Sequence, residues 1–581
     1  MQAPCASRAA LLFLPLAFLL IATILPMQAR GETRLLWERV RVAPGETNTL
    51  RLDPPPETAS LHLRFLHPIG TTIGSLEVPA AESIAVPAPP FEGGFILEVR
   101  DSAGELLGRT VQSVCASPEF DVRYGFATNF GGSWDQSARR AEMLVEANVN
   151  AIEFYDFFAA HGDYTPESQS YKFEPFGVHL DARNVKAKQD AFRAAGIHSY
   201  AYVAPYAAAQ SVFRLLPDPI TGDDGEPLVY GPDHVKTTRE YDRAGKSDGK
   251  WFTIMAMHRG SRWHEHVLTE YRNLLAGEQT VLAPFDGMEV DTYGIEERPY
   301  RAQGWDKPGW TIGQVLHLFM ADTRALADAA TPRALLTSNC VNGTGMKELA
   351  PFVDWQFMEI WPWGARTIEE YAGMMEEAGK LRGQRVVAKS YPDKMVPKHD
   401  VWPAENLRLM MGTAMLTGGS FMVAGEPNPK TGKMHSLKTD YYGNNSPLDD
   451  ERWRILCAYN RFDALLYRIT HGENVRRSAS VIRTPGLMTR TFAAGESGLA
   501  ITLLRARPDQ EWMAPAIAAS DLQPAELRLQ WRTPAPRAVR FGSPDQPEWE
   551  AFIDVPTRLE EDRLYITVPP FARFGCVLIQ R

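Results

Sequence analysis

The stretch Phe285-Asp-Gly-Met-Glu-Val-Asp-Thr-Tyr-Gly294 concentrates acids in a short apolar setting. Side chains in a strand alternate faces, so Gly287, Glu289 and Asp291 share one face and Met288 and Val290 the other. The apolar face suits packing against helices. The other face ends at Asp291, ahead of a glycine-containing loop. An acid at the C-terminal end of a strand in an α/β barrel faces the active site. An Asp in that place can also simply cap the next turn, and this stretch alone supports both readings.

A second stretch, Trp355-Gln-Phe-Met-Glu-Ile-Trp-Pro362, ends its own strand-like run in Glu359, flanked by Trp361. Counted along the chain, Asp291 closes the fourth strand and Glu359 the sixth. Alternate barrel strands place inward side chains in the same layer, so the two acids can face each other across the mouth. Two carboxyls about 5–5.5 Å apart are what retaining cleavage of a glycosidic bond requires. One attacks the anomeric carbon; the other protonates the leaving oxygen and then activates water. Aromatic neighbours would raise the pKa of Glu359, as suits an acid, whereas Asp291 has to stay ionised to attack.

Further polar groups fall at the same ends of other strands. Tyr155 and Asp156 end the second, with His161 and Asp163 in its loop. Asn339 and Asn342 follow the fifth, Lys389 the seventh, and Gly425-Glu426 the eighth. Each alone has a structural reading; their shared position makes them candidates for binding substrate. Glu289, one layer below Asp291, is expected to hold the hydrogen-bond partners of Asp291 or to contact sugar. Asp286 opens its strand and should point to the opposite, stability face. A cation site built from Asp286, Glu289, Asp291 and His258 is the chemical rival, but HxH, HExxH and EF-hand spacings are absent. A Ser-His-Asp hydrolase would need a GxSxG elbow, which is also absent. No metal or cofactor is expected.

The elements that would position these residues alternate in type. Strand-like runs fall at Tyr124–Phe130, Asn150–Tyr155, His198–Ala204, Gly287–Asp291, Ala334–Ser338, Trp355–Glu359, Arg385–Ala388 and Gly419–Val423. Amphipathic helical stretches lie between them, including Ser137–Ala147, Asn184–Ala195, Ile312–Ala329 and Thr367–Lys380. Eight such units over 123–470 predict a (β/α)8 TIM barrel. A doubly wound sheet lacks support, because no glycine-rich dinucleotide turn follows the first strand. Pro205–Trp251 reads as a long polar loop on the active-site face. Short alternating strands with proline-rich breaks predict an Ig-like β-sandwich over 33–117 and a C-terminal β-sandwich over 474–581.

Composition bounds the rest. The 581 residues exceed one ordinary domain. A net charge of -10 with no long basic run argues against nucleic acid as a partner. Arg8, an apolar run from Ala9 to Leu25 and a small residue near Ala29 read as a signal peptide over 1–29, giving a secreted or periplasmic chain without stable membrane insertion after cleavage. A retained anchor is the alternative. Cys115, Cys340, Cys457 and Cys576 show no CxxC spacing and suggest neither zinc nor a disulfide scaffold.

From about Arg123 to Arg468 the chain resembles glycoside hydrolase family 66, the dextranases and cycloisomaltooligosaccharide glucanotransferases. The resemblance rests on Phe154-Tyr-Asp156 with His161, Phe285-Asp-Gly287 with Asp291-Thr-Tyr-Gly294, Ser338-Asn-Cys-Val-Asn342, Met358-Glu-Ile-Trp-Pro362 and Gly425-Glu426. It implies retaining endo-hydrolysis of α-1,6-linked glucans of the dextran or isomaltooligosaccharide type, with Asp291 as nucleophile and Glu359 as acid/base. Tyr155, Asp156, His161, Glu289, Asn339, Trp361, Lys389 and Glu426 would contact substrate. The family's Tyr-Asp-Trp reads Tyr155-Asp156-Phe157 here, and its Arg-His-Asp reads Ala160-His161-Gly162-Asp163, which leaves another α-glucoside open. The cyclising enzymes' inserted carbohydrate-binding module has no room between Glu426 and Ser446, which favours hydrolysis over cyclisation. A transglycosylase and a non-catalytic carbohydrate-binding barrel are the alternatives.

Overall fold

A computed structural model describes residues 33–581 except 70, 129, 132–135, 175, 232–233, 245–250, 391–401, 424, 426–434, 437–445, 471–474, 478–480, 483–485, 495–497, 517–521, 533 and 547–551. The expected signal segment, 1–29, and Glu426 therefore lie outside the described residues. Among those described, no helix is long and apolar enough to cross a membrane.

The centre is an eight-stranded parallel sheet in chain order: β1 (Tyr124–Ala127), β2 (Ala151–Phe154), β3 (His198–Val203), β4 (Gly287–Asp291), β5 (Leu335–Asn339), β6 (Gln356–Glu359), β7 (Val386–Lys389) and β8 (Ser420–Phe421). Ser420 Oγ donates to Val122 O at 2.8 Å, which brings β8 beside β1 and curls the sheet into a TIM barrel. Helices α1 (Ser137–Glu146), α2 (Ala182–Ala194), α3 (Arg262–Ala276), α4 (Ile312–Ala329), α5 (Ile368–Lys380), α6 (Ala404–Leu416) and α7 (Asp450–Thr470) run between and after the strands. Side-chain caps start several of them: Asp181 for α2, Ser261 for α3, and capping boxes at Thr311 for α4 and Thr367 for α5.

Strand alternation divides the barrel core in two. Met288 and Val290 join the large cluster under the helices. Tyr124, Phe126, Ala151, Tyr200, Leu335, Trp355, Phe357 and Val387 form a separate cluster that fills the barrel interior, with rings in edge contact such as Tyr124 with Trp355 at 4.7 Å. The interior is thus a packed plug whose upper side carries the polar ends of the strands.

Below the plug a buried ionic network ties the wall together. Arg123 pairs with Asp121 and lies 3.9 Å from Asp463, which also pairs with Arg385. Each charge is compensated, as burial demands.

Two sheets precede the barrel. A three-stranded sheet (Arg34–Trp37, Thr47–Asp53, Ser83–Pro87) and a five-stranded one share a core of Leu50, Leu52, Leu61, Leu63, Leu97 and Val99. The strand Gly93–Asp101 is buried on both faces, because its other side meets α7. A Cβ at Gly94 would stand 2.2 Å from Ala464 O, so only glycine permits that approach. After α7 come a six-stranded and a four-stranded sheet around Leu499, Ile501, Leu527, Ile566 and Ile579. All four cysteines of the described chain are buried and free.

One expectation needs correction. The 205–251 segment is not a bare loop. It holds short helices Gln210–Leu215 and Thr238–Arg243, and strands Ala207–Ala208, Leu228–Gly231 and His234–Thr237, which join Phe252–Ile254 in an antiparallel sheet. The run Asp223-Asp-Gly225 forms a turn, with Gly225 at a positive φ of 78°. What the polar composition hid is how short the strands are, with Leu228, Val229 and Val235 buried.

Candidate active site

Gly287 opens the inward face of β4 for a steric reason. A Cβ there would come within 2.4 Å of Leu335 O and 2.7 Å of the Tyr200 ring. The next inward positions are Glu289 and Asp291, both buried. Asp291 sits opposite Asn339 of β5, and Glu359 of β6 opposite Lys389 of β7. Between β5 and β6 Asn339 pairs with Phe357, so Glu359 and Lys389 stand two residues further along their strands than Asp291 and Asn339.

Asn339 joins the two acids. Its Nδ2 donates to Asp291 Oδ1 at 3.1 Å and to Glu359 Oε2 at 3.3 Å. Those two oxygens cannot be further apart than the sum of the two bonds. Asn339 Oδ1 in turn accepts from the Glu359 backbone N–H at 3.2 Å. Tyr202 of β3 donates to Asp291 Oδ2 at 2.8 Å and lies 3.1 Å from the Tyr293 hydroxyl. Trp361 Nε1 donates to Glu359 Oε2 at 3.4 Å, while its backbone N–H is held by Asn342 Oδ1 at 2.8 Å.

The electrostatics follow from packing several acids into a dry barrel mouth. Burial first, then the charge of Glu359, pushes Asp291 up to about 7; the bonds from Tyr202 and Asn339 oppose the rise. Glu153 on β2 is raised by burial and by Asp291 and Glu359. Glu289 is raised by burial and then by Glu153. Lys389 is pushed down to about 7 by burial, against the pull of Glu359 and Glu153. Its ammonium donates to Met422 O at 3.2 Å and lies 5.8 Å from the Phe126 ring. Like charges in low dielectric cannot all ionise, so protons are shared among these groups at neutral pH.

The remaining expected residues fall as follows. The Tyr155 ring packs on Tyr202 at 4.2 Å. Asp156 is buried in the left-handed region at φ 52° and adds to the rise of Glu153. His161 is buried among Phe158, Phe173, Tyr202 and Phe252, and burial pushes it down to about 3, so it is neutral. Asp163 is exposed. Asn339 and Lys389 are the last residues of their strands rather than the first of the loops. Glu289 does not bond Asp291, whose side-chain partners are Tyr202 and Asn339; the Asn339 backbone acts on the Glu289 carboxyl and opposes its rise.

The cation alternative finds no geometry. Asp286 accepts from Ser199 N and Oγ at the opposite end of β4, and His258 Nδ1 pairs with Tyr300 at 2.8 Å. Among the described residues no three His, Cys, Asp or Glu side chains converge to hold a metal ion. Sequence reading missed Glu153, Tyr202 and Tyr293. The first two were findable by the alternation used on β4, since Glu153 follows Ala151, and Tyr202 follows Tyr200, on the inward face. Tyr293 needed the loop's turn, where Tyr293 and Gly294 both take positive φ.

A solved structure shares this architecture. A cycloisomaltooligosaccharide glucanotransferase from Paenibacillus sp., complexed with cycloisomaltoheptaose, aligns at a TM-score of 0.74 and 13% identity, covering 94% of this chain and 99% of that one. A maltogenic alpha-amylase, AmyB, from Thermotoga neapolitana aligns at a TM-score of 0.48 and 10% identity, covering 78% and 98%. No curated protein sequence matches the chain significantly. The model of glycosyl hydrolase family 66 matches residues 75–569, nearly the whole described chain, so a non-catalytic carbohydrate-binding barrel gives way to an enzyme that cleaves or transfers glycosidic bonds. The protein belongs to glycosyl hydrolase family 66.

Proposed function

We propose that the chain is a retaining endo-glycosidase of α-1,6-linked glucan, with Asp291 as nucleophile and Glu359 as acid/base. The observation that carries this reading is the Asn339 bridge. One amide holds both strand-end carboxyls, and the span it allows between their nearest oxygens suits the about 5–5.5 Å of retaining enzymes. In the first step an Asp291 oxygen bonds to the anomeric carbon as the glycosidic C–O bond breaks. Glu359 gives its proton to the departing oxygen. In the second step Glu359 takes a proton from water, whose oxygen displaces Asp291 from the same carbon. Retention follows from two inversions.

Two groups sharing a proton is the starting state that this cycle needs. Asp291 receives the shorter bonds, from Tyr202 and Asn339, which favours the charge there and the proton on Glu359. Tyr202 itself is raised by burial and by Asp291, so it stays a donor. Trp361, partly exposed beside Glu359, and Tyr155 offer ring faces to a sugar. The α-1,6 linkage is supported by family membership and by the cycloisomaltoheptaose held in the glucanotransferase relative. Secretion is part of the proposal and is tested by N-terminal sequencing of the mature protein, where a start at Met1 would oppose it.

The direct test is turnover of dextran by Asp291→Asn and Glu359→Gln. Each should lose several orders of magnitude in kcat. Near wild-type turnover by either variant would refute the assignment. Chromatography of the products separates linear hydrolysis products from cyclic or elongated transfer products.

A further inference from the structure

The rings near Asp291 do not stop at the site. Tyr293, whose hydroxyl meets Tyr202, packs against Tyr230 at 4.9 Å between centroids. Tyr230 packs against Trp251 at 5.6 Å, and Trp251 against Phe176 at 6.3 Å. The row leaves the catalytic mouth and ends on two large aromatics at the surface: Trp251 is 36% exposed and Phe176 is 46% exposed.

The geometry points to an outer subsite, built by Trp251 and Phe176, that holds a glucan segment several sugars away from the bond being cleaved. This rests on the α-glucan reading above and deepens it, because it says where the chain of a long substrate runs.

Three observations support the placement. First, Trp251 is fixed by backbone. Its N–H donates to Tyr230 O at 2.8 Å, which ties its backbone to the antiparallel sheet. Second, the buried part of the row already has its packing. Tyr230 stacks on Phe252 at 5.0 Å and 7°, and Phe252 contacts Tyr293 at 4.9 Å. The outer rings are therefore not needed to complete a core, yet they stay partly in water at a cost that a ligand would relieve. Third, a pyranose presents C–H faces that suit aromatic rings, while its hydroxyls remain hydrated, so partly exposed aromatics match this ligand better than a fully apolar one. The platform is continuous with the catalytic mouth and comes from different loops: Phe176 follows β2, whereas Tyr230 and Trp251 follow β3. Two loops converging on one line of rings form a track leading to Asp291.

The test compares a long and a short substrate in the full-length enzyme. Trp251→Ala should raise KM for dextran roughly tenfold and leave kcat within about threefold. Activity on an aryl α-glucoside, too short to reach past Tyr293, should stay near wild type. Phe176→Ala should act in the same direction but less, and Trp251→Phe should restore most of the dextran affinity. Unchanged dextran KM in both alanine variants, with the wild type active, would overturn the subsite and leave the catalytic assignment standing. Equal losses on long and short substrates would also overturn it, since a folding or catalytic defect moves both. A wild type inactive on every α-glucan would remove the functional reading beneath it.

Discussion

Asp291→Asn gives the sharpest view of the energy stored in the barrel mouth. The substitution keeps the side-chain volume and removes a charge that burial and Glu359 both oppose. An aspartate in an unfolded chain titrates near 3.9; in the fold Asp291 is pushed up to about 7. The folded protein thus binds this proton more tightly than the unfolded one. Its stabilising contribution is full below about pH 4 and is lost as pH rises through about 7. Roughly three pH units at about 1.36 kcal/mol each set a ceiling near 4 kcal/mol. Sharing the proton with Glu359 lowers what one substitution recovers, to about 2 kcal/mol between pH 5 and pH 8.5. Urea unfolding of both proteins at the two pH values measures it. The stability of the Asn variant relative to wild type should increase by about 2 kcal/mol from pH 5 to pH 8.5. Parallel pH dependence, with a constant difference between the proteins, would refute the buried-charge reasoning.

Other expectations are more local. Tyr202→Phe removes the 2.8 Å donor to Asp291 and should lower kcat/KM by about 10- to 100-fold, the range of one charged hydrogen bond. Because that bond holds the Asp291 pKa down, its loss should also move the acidic limb of the pH–rate profile to higher pH. Asn339→Ala frees both carboxyls and should reduce kcat more than Tyr202→Phe does, with little change in secondary structure by circular dichroism. Arg123→Leu strands Asp121 in the barrel base and should cost on the order of 3–5 kcal/mol in urea unfolding without a specific effect on KM.

Much of this was legible in the sequence for a physical reason. A barrel strand has to turn apolar side chains outward and can end in a polar one, so Gly287–Asp291 could be located to the residue. Ile312–Ala329 was equally clear, since its apolar face repeats at helical spacing and a capping box starts it. α3, α6 and α7 were not named as elements. α6 is buried almost all round, from Asn406 to Leu416, so it lacks the polar stripe that marks a surface helix. The site was half legible. Strand ends could be counted, which gave Asp291, Asn339, Glu359 and Lys389. Long-range register could not: alternation turns Glu153 and Tyr202 inward, but only register sets Glu153 beneath the pair and Tyr202 opposite Glu289, from where its hydroxyl reaches Asp291. The expected ionisation was too simple as well. It assigned a raised pKa to Glu359 from its aromatic neighbours and kept Asp291 ionised, while the fold buries Asp291 deeply enough to push it up.

The most direct measurement is covalent trapping. An activated 2-deoxy-2-fluoro α-glucosyl substrate slows breakdown of the glycosyl-enzyme, so the adduct can be mapped by peptide mass spectrometry. A single hexosyl adduct is expected on the peptide carrying Asp291, absent in Asp291→Asn. An adduct on Glu359, Glu289 or Glu153 would contradict Asp291 as the nucleophile.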